Sequence, residues 1–287
     1  MAPNKLFISG LTDHWGFSLI WTNRTKRLPF TAMNRKDHAF IIDVALLPSA
    51  IKQDELAGQS VVVVDVLRAT TTIVNALNNG CQQIFPQPSI EKARQCHASM
   101  PETAVMGGER QGKIVDGFHH GNSPPEYTEE AIAGKTLILA TTNGTVAMES
   151  CRAADRVLIG AMINVSAVAK MLANVPRVTV VCSGTDRLIT SEDVIFAGLL
   201  TERILELREA AGSEPTKLTD PATIAMHHWR TRKAEMDSGK DLADFFRNCR
   251  GGINLVRIGH DADVVFASQI DVLDRVPELD LESWTIR

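Results

Sequence analysis

The chain has 287 residues, 44% of them hydrophobic and 22% charged, which suits a folded protein with a sizeable core and argues against a disordered or fibrous one. Its net charge of −4 excludes the basic footprint of a nucleic-acid binder, and no apolar run reaches transmembrane length. Any anionic ligand must therefore be held by local arginines and backbone N–H groups. The five cysteines (Cys81, Cys96, Cys151, Cys182, Cys249) form no CxxC pair, and they fit reduced thiols in a cytoplasmic protein better than a zinc knuckle or a disulfide framework.

Residues 1–32 differ in character from the rest of the chain. They hold two of the four tryptophans, show no strong periodicity and lack the apolar core and cleavage site of a signal peptide. The expectation is an extension, with Met33 as a candidate native start. Residues 33–287 would then form the functional domain, divided into subdomains of about 33–134 and 135–287.

Ser60–Asp65 reads as a strand, because Val61 to Val64 suit a strand buried on both faces. Thr70–Asn79 comes next as a helix closed by Gly80. Ser89–Met100 reads as a helix and Thr103–Met106 as a strand. The polar stretch from Gly107 to Pro125 is long for a loop in a compact domain, which usually means function. Next come Lys135–Ala140 (strand), Val146–Ala153 (short helix), Arg156–Gly160 (strand), Asn164–Ala173 (helix capped by Asn164), Arg177–Cys182 (strand) and Glu192–Arg208 (long helix). Gly212–Asp220 reads as a linker. Residues 221–250 look helical, and Asn254–Gln269 looks like a closing α-rich unit. This alternation predicts an α/β fold, layered αβα, with a mainly parallel or mixed sheet and two intimately packed subdomains around a cleft.

In such a sheet, ligands bind at the carboxyl ends of the strands. Polar segments fall at those ends: Asp65-x-x-Arg68, Thr141-Thr142-Asn143-Gly144-Thr145, and Ser183-Gly184 running on to Ser191-Glu192-Asp193. Two more, Gly107-Gly108-Glu109-Arg110 and Gly117-Phe118-His119-His120-Gly121-Asn122-Ser123-Pro124, lie in the long polar stretch. Arg68 and Arg110 offer planar bidentate donors for phosphate or carboxylate. Thr141–Thr145 offers hydroxyls, a glycine and a helix start for an anion. Asp65, Glu109 and Asp193 are hard oxygen donors of the kind that hold Mg2+ together with water and substrate phosphate. Cations, carboxylates and a glycine-containing nest together make a phosphoryl-transfer constellation.

Each feature also has a plainer reading. Asp65 could simply cap the next helix, Glu109 and Arg110 could be a surface pair, and Ser191-Glu192-Asp193 is a good helix start without any metal. Cys182 sits in an apolar run and reads as a buried small residue. The P-loop, the Asp-x-Asp of haloacid-dehalogenase-type phosphatases and the GxSxG elbow are all absent.

Taken in order, Val-Val-Asp65-Val-Leu-Arg68-Ala-Thr-Thr-Thr, Gly-Gly-Glu109-Arg110, Gly121-Asn122-Ser123-Pro124, Thr141-Thr-Asn-Gly-Thr145 and Ser191-Glu-Asp193 resemble the motifs of the 2-phosphosulfolactate phosphatase family. The resemblance runs from about Phe40 to Val276-Pro277. It implies a magnesium-dependent phosphomonoesterase that converts 2-phospho-3-sulfolactate to 3-sulfolactate and phosphate, a step of coenzyme M biosynthesis in archaea. With it, the residues' own chemistry gives the expected catalytic roles: Asp65, Arg68 and Glu109, with His119 as an acid or base where the family has a carboxylate, and Asp65, Glu109 and Asp193 around Mg2+. Substrate contacts would come from Arg110, Asn122, Ser123, Thr141–Thr145, Ser183 and Gly184, with Arg187 as a further candidate cation.

The nucleophile stays open between a metal-bound water and Asp65 itself. The expected partner is a small anionic substrate, with no nucleic acid and no membrane; a homo-oligomer is expected on base rates alone. The alternatives are a phosphatase for another small phosphorylated hydroxy acid, or a non-catalytic anion-binding module. Two departures from the family pattern stand out: His119-His120 where the family usually has Asp-Leu, and Asp186-Arg187-Leu188 where it has a small glycine-containing turn.

Overall fold

The computed structural model describes residues 40–287, so the expected extension at 1–32 and the start at Met33 lie outside the described residues. β1 (Phe40–Ala45) is followed by β2 (Ser60–Val64), whose four valines have no exposed surface. Val62 and Val64 pack into one apolar layer, and Val61 and Val63 into the other. That is the two-residue period of a strand covered on both faces. α1 (Ala69–Asn78), β3 (Gln83–Gln87), α2 (Ile90–Ala98), β4 (Ala104–Arg110), β5 (Lys113–Ile114), α3 (Glu129–Ile132), β6 (Thr136–Ala140) and α4 (Gly144–Glu149) come next. The second half runs β7 (Arg156–Gly160), α5 (Val165–Leu172), β8 (Arg177–Cys182), α6 (Ser191–Ala210), β9 (Thr216–Leu218), α7 (Asp220–Asp237), α8 (Leu242–Arg247), α9 (Arg250–Arg257), α10 (Asp261–Ala267), β10 (Glu278–Asp280) and β11 (Thr285–Ile286).

The strands form one mixed sheet in the order β5-β4-β6-β3-β11-β10-β7-β2-β8-β1-β9. It is built from two parallel blocks. One is β4-β6-β3, and the other is β7-β2-β8-β1-β9. The hairpin β10–β11 at the end of the chain lies between them and pairs antiparallel with both β7 and β3. Arg156 of β7 grips the hairpin with two hydrogen bonds to Glu278, of 2.9 and 2.7 Å.

Helices α5 to α10 cover one face through Val165, Val168, Leu172, Ile195, Leu199, Trp229, Phe246 and Val264. α1 and α4 cover the other through Ile73, Val74, Leu77, Ala147 and Met148. The fold is therefore α/β and layered, as the alternation of elements indicates.

Sequence and structure differ where local chemistry hides an element. The strand expected at 103–106 continues to Arg110 and turns back through β5, so the polar stretch begins as sheet. Gly107 packs against the Tyr127 hydroxyl and Gly108 against the Ala140 carbonyl, so side chains are excluded there and the usual apolar strand signal is missing. The linker expected at 212–220 contains β9, a three-residue edge strand on β1. Asn164 takes the N-cap position of α5, but its side chain makes no capping bond to that helix. Its side chain accepts from Ala161 N (2.9 Å) and donates to Arg275 O (2.8 Å), bracing the approach to the closing hairpin.

Gly198, inside α6, sets the spacing to α7. A Cβ there would collide with the Ala225 carbonyl and meet Trp229 Cβ at 2.8 Å. Gly198→Ala gains up to about 1 kcal/mol of helix propensity. It forces a backbone contact, and overpacking of this kind costs about 1–3 kcal/mol. Urea unfolding is expected to show a net loss of stability; a higher midpoint would mean that α7 can shift aside freely.

Candidate active site

β2 ends at the floor of a cleft of about 560 Å³ whose walls include Asp65, Arg68, Glu109, Arg110, Asn122, Thr141, Thr142 and Asn143. The turn from β2 into α1 is closed by its own side chains. Asp65 N donates to Thr70 Oγ1, and Thr70 Oγ1 donates to Asp65 O, both at 2.9 Å. Thr71 Oγ1 donates to Val66 O at 2.8 Å. Asp65 Oδ1 accepts weakly from Ala69 N at 3.3 Å. This is the capping contact of the plainer reading, and it leaves Oδ2 uncommitted on the side of Gly144. A Cβ at Gly144 would sit 3.2 Å from Oδ2 and 2.7 Å from Ala69 Cβ. The start of α4 can approach Asp65 only because residue 144 has no side chain. The carboxyl ends of β2 and β6, which belong to different parallel blocks, meet here.

Behind Asp65 lies a second carboxylate. Asp193 is 2% exposed. Its Oδ1 accepts from Val66 N at 2.9 Å, and its Oδ2 from Gly184 N at 2.9 Å and Thr190 Oγ1 at 3.2 Å. Burial pushes Asp193 up to about 6, against the pull of those N–H donors. Burial first and the Asp193 charge second raise Asp65 well above the usual carboxylate range. Glu192 is also buried. Burial and Asp193 push it up to about 8, and its Oε2 has no hydrogen-bond partner. Cys182, at the end of β8, is raised by burial and by the same two acids, so it stays a thiol, as expected of a buried small residue.

The other wall is organised by Glu109. Its Oε1 accepts from Thr142 N (3.1 Å) and Thr142 Oγ1 (2.8 Å), and its Oε2 from Gly112 N (2.8 Å). One carboxylate thus joins the β4–β5 turn to the loop after β6. Arg110 Nη1 donates to Glu109 O at 2.7 Å. Arg68, 3% exposed, donates from Nη1 to Asp263 Oδ2 at 2.6 Å and from Nη2 to Gly112 O at 2.9 Å. α9 and the residue that follows it supply the remaining side with Gly251, Asn254, Arg257 and Ile258.

The structure brings together Asp65, Arg68, Glu109, Arg110, Asn122 and the Thr141–Asn143 loop. The other expected site residues lie outside the cleft wall. Thr145 pairs its hydroxyl with that of Thr141 at 3.2 Å. Ser123 donates to Asp263 Oδ1 at 2.5 Å. Ser183 and Gly184 lie beside Asp193, Gly184 holding one of its oxygens. Arg187, at a φ of 61° in the turn after β8, is absent from the wall, whereas its neighbour Asp186 is part of it. His119 is exposed and lines a neighbouring depression with His120, Glu126 and His260. Its Nδ1 accepts from Met106 N at 3.0 Å.

Sequence reading missed Asp263, Lys113, Asn254 and Arg257. Asp263 lies in a His-Asp-Ala-Asp run that looks like an ordinary helix start, and only the ion pair to Arg68 reveals it. Among the described residues, no three His, Cys, Asp or Glu side chains converge in metal-binding geometry, and no helix is long and apolar enough to cross a membrane.

The raised acids have a stability consequence. Glu192 titrates near 4.5 when unperturbed and near 8 here. Its contribution is full below about 4.5 and is lost as pH rises through about 8. Glu192→Gln removes that loss. The variant should match the parent in Tm near pH 5 and exceed it by at least about 2 °C near pH 9. A Tm gap that does not change with pH would count against the raised value.

A family model described as 2-phosphosulpholactate phosphatase matches residues 45–282. A protein of Clostridium novyi (strain NT), called a probable 2-phosphosulfolactate phosphatase, is 33% identical over 238 residues, covering 83% of this chain and 96% of its own length. Proteins carrying the same name from Symbiobacterium thermophilum and from Clostridium perfringens (strain 13 / Type A) are 37% and 34% identical. They cover 78% and 83% of this chain, and 92% of their own lengths. The matched span begins in β1 and ends beyond β10, so it takes in every wall of the cleft, and the chain belongs to the 2-phosphosulfolactate phosphatase family.

Proposed function

We propose that this chain is a phosphomonoesterase that hydrolyses 2-phospho-3-sulfolactate to 3-sulfolactate and phosphate, with Mg2+ as its cofactor. The observation that carries the reading is Asp65: a buried carboxylate at a strand end, one oxygen uncommitted, facing a cleft with arginines on its wall. A phosphoryl group entering the cleft meets the Arg68 and Arg110 guanidinium groups and the first-turn N–H groups of α4, which have no partner inside the helix. Such donors stabilise the charge on the transferring oxygens. Lys113 and Arg257, also on the wall, supply further charge for the carboxylate and sulfonate. Glu109 ties down the Thr141–Thr142 loop by accepting from both the backbone N–H and the hydroxyl of Thr142.

The donor set suits magnesium. Asp65 Oδ2 is uncommitted, and Asn122 Oδ1 is a buried acceptor on the same wall without a hydrogen-bond partner. Hard oxygens of this kind, completed by water and substrate phosphate, are how Mg2+ is commonly held. Asp65 and Asn122 would hold the ion. Glu109 and Asp193, first expected as ligands, would act by shaping the wall and by propping Asp65, because backbone N–H groups already engage both oxygens of each. When bound, the ion supplies positive charge at the phosphoryl oxygens and lowers the proton affinity of Asp65. The five cysteines are all unpaired, which supports a reducing, cytoplasmic setting, and the product would enter sulfonate biosynthesis of the coenzyme M type.

Phosphate release from 2-phospho-3-sulfolactate tests the reading, run with Mg2+ and with EDTA and compared with phospholactate, phosphoglycolate and 3-phosphoglycerate. Release from the sulfonate above the others, abolished by EDTA, is the expected result. A preference for a carboxylate analogue would move the substrate, and no release from any of them would leave an anion-binding module. Asp65→Asn is expected to lower kcat by about 10³-fold or more while keeping or raising Tm, because it removes a buried charge beside Asp193. Lost activity together with a lowered Tm would instead indicate a structural role for Asp65.

A further inference from the structure

We propose that Asp263 is the positioning residue of this cleft: from α10 it fixes the Arg68 guanidinium and the segment around Ser123 in the geometry that meets a phosphoryl group. The inference rests on the phosphatase reading above.

Asp263 is 2% exposed, and both of its oxygens are taken by groups from elsewhere in the chain. Oδ2 accepts from Arg68 Nη1 at 2.6 Å, and His260 Nδ1 lies 3.2 Å from the same oxygen. Oδ1 accepts from Ser123 Oγ at 2.5 Å. Arg68 is anchored a second time, from Nη2 to the Gly112 carbonyl at 2.9 Å. Two anchors on the two terminal nitrogens fix the guanidinium plane and leave its other N–H groups for the cleft, which Arg68 lines. A free arginine gives up considerable rotamer freedom when it binds an oxyanion. Here that freedom is removed before substrate arrives, which is the condition for an electrostatic group to act without reorganising.

The Ser123 contact extends the effect. Asn122 precedes Ser123, its backbone O accepts from Thr72 Oγ1 at 2.9 Å, and its side-chain Oδ1 is buried at the cleft wall without a partner. Asp263 and Thr72 hold this two-residue segment from opposite ends. One carboxylate therefore sets the position of a cation donor and of an oxygen donor on the same wall. A buried ion pair adds little net stability compared with a well-packed apolar pair. What this one adds is orientation, at a place where a misplacement of about 1 Å can cost about 100-fold in rate.

A double-mutant cycle decides it, using Asp263→Asn, Arg68→Met and the double variant. Arg68→Lys takes the place of Arg68→Met if the latter fails to fold. Each full-length protein is assayed for kcat and KM on 2-phospho-3-sulfolactate, for inorganic phosphate binding by calorimetry, and for Tm. Asp263→Asn is expected to lower kcat by about 10- to 100-fold and weaken phosphate by about 10-fold. The double variant should lose little more than Arg68→Met alone. A purely structural role would lower Tm and leave kcat and KM per folded molecule unchanged. That result overturns the proposal, and so do losses that simply multiply in the double variant. If the parent protein turns over no substrate, the phosphatase reading fails by itself, and the phosphate-binding cycle still decides the role of Asp263. Absence of phosphate binding in the parent would overturn both.

Discussion

β2 is covered on both faces and ends at the cleft floor, and the residue it presents there is an acid with 6% of its surface exposed. Beneath Asp65 are Asp193 and Glu192, and among the described residues no lysine or arginine pairs with any of the three. Bringing carboxylates this close in a dry environment disfavours the charged forms, and the raised proton affinities of all three express that cost. Backbone N–H groups from Val66 and Gly184 offset part of it for Asp193. Nothing comparable is available to Asp65 Oδ2. A site that keeps an under-compensated acid facing a cleft gives up stability, and either a proton or a bound cation would relieve that cost.

The second constraint is long-range. Residues on the cleft wall come from the start of α1, the β4–β5 turn, the loop after β6, the turn after β8 and α9. The end of the chain holds these parts in place twice. The β10–β11 hairpin joins the two parallel blocks, and Asp263 ties α10 to Arg68 across 195 residues of sequence. Gly112 shows how tightly the parts fit. Its N–H goes to Glu109, its carbonyl to Arg68, its φ is 78°, and a Cβ would meet the tip of the Ile258 side chain just after α9.

This is why the fold is largely legible in the sequence and the site only in part. Arg156–Gly160 and Arg177–Cys182 are legible to the residue because burial on both faces leaves a largely apolar run, and α1, α5 and α6 are legible to within one or two positions because each begins and ends at polar residues. β9 and the glycine half of β4 are not, since an edge strand and a strand pressed against a neighbour carry no such run. At the cleft, Asp65, Arg68, Glu109, Arg110 and Thr142 are legible because they sit at strand ends or on glycine turns. Asp263 is not, because an acid in the first turn of a helix is ordinary chemistry and its partner lies far away in sequence. His119 shows the limit in the other direction. It stands in the polar stretch three residues before Asn122, yet its Nδ1 is bound to Met106 N of β4 and its side chain lines a depression beside the cleft.

The distribution of charge bears on how such a cleft would select its substrate. Arg68 is buried and already paired, so its contribution is directional hydrogen bonding more than net charge. Lys113 and Arg257 are exposed on the rim, where opposite charges in water attract by no more than about 1 kcal/mol. Rim cations of that kind steer anions inward and raise the encounter rate, but they discriminate poorly between two anions and three. Strong rejection of an analogue requires buried polar groups that the analogue leaves unpaired. The cleft's unpaired oxygens, Asp65 Oδ2 and Asn122 Oδ1, are both acceptors, so they could meet a phosphate only through a cation or a proton between them. With the proposed Mg2+ between those oxygens and the substrate, the phosphate would be held at the floor by fixed groups, and the sulfonate would meet only the rim cations.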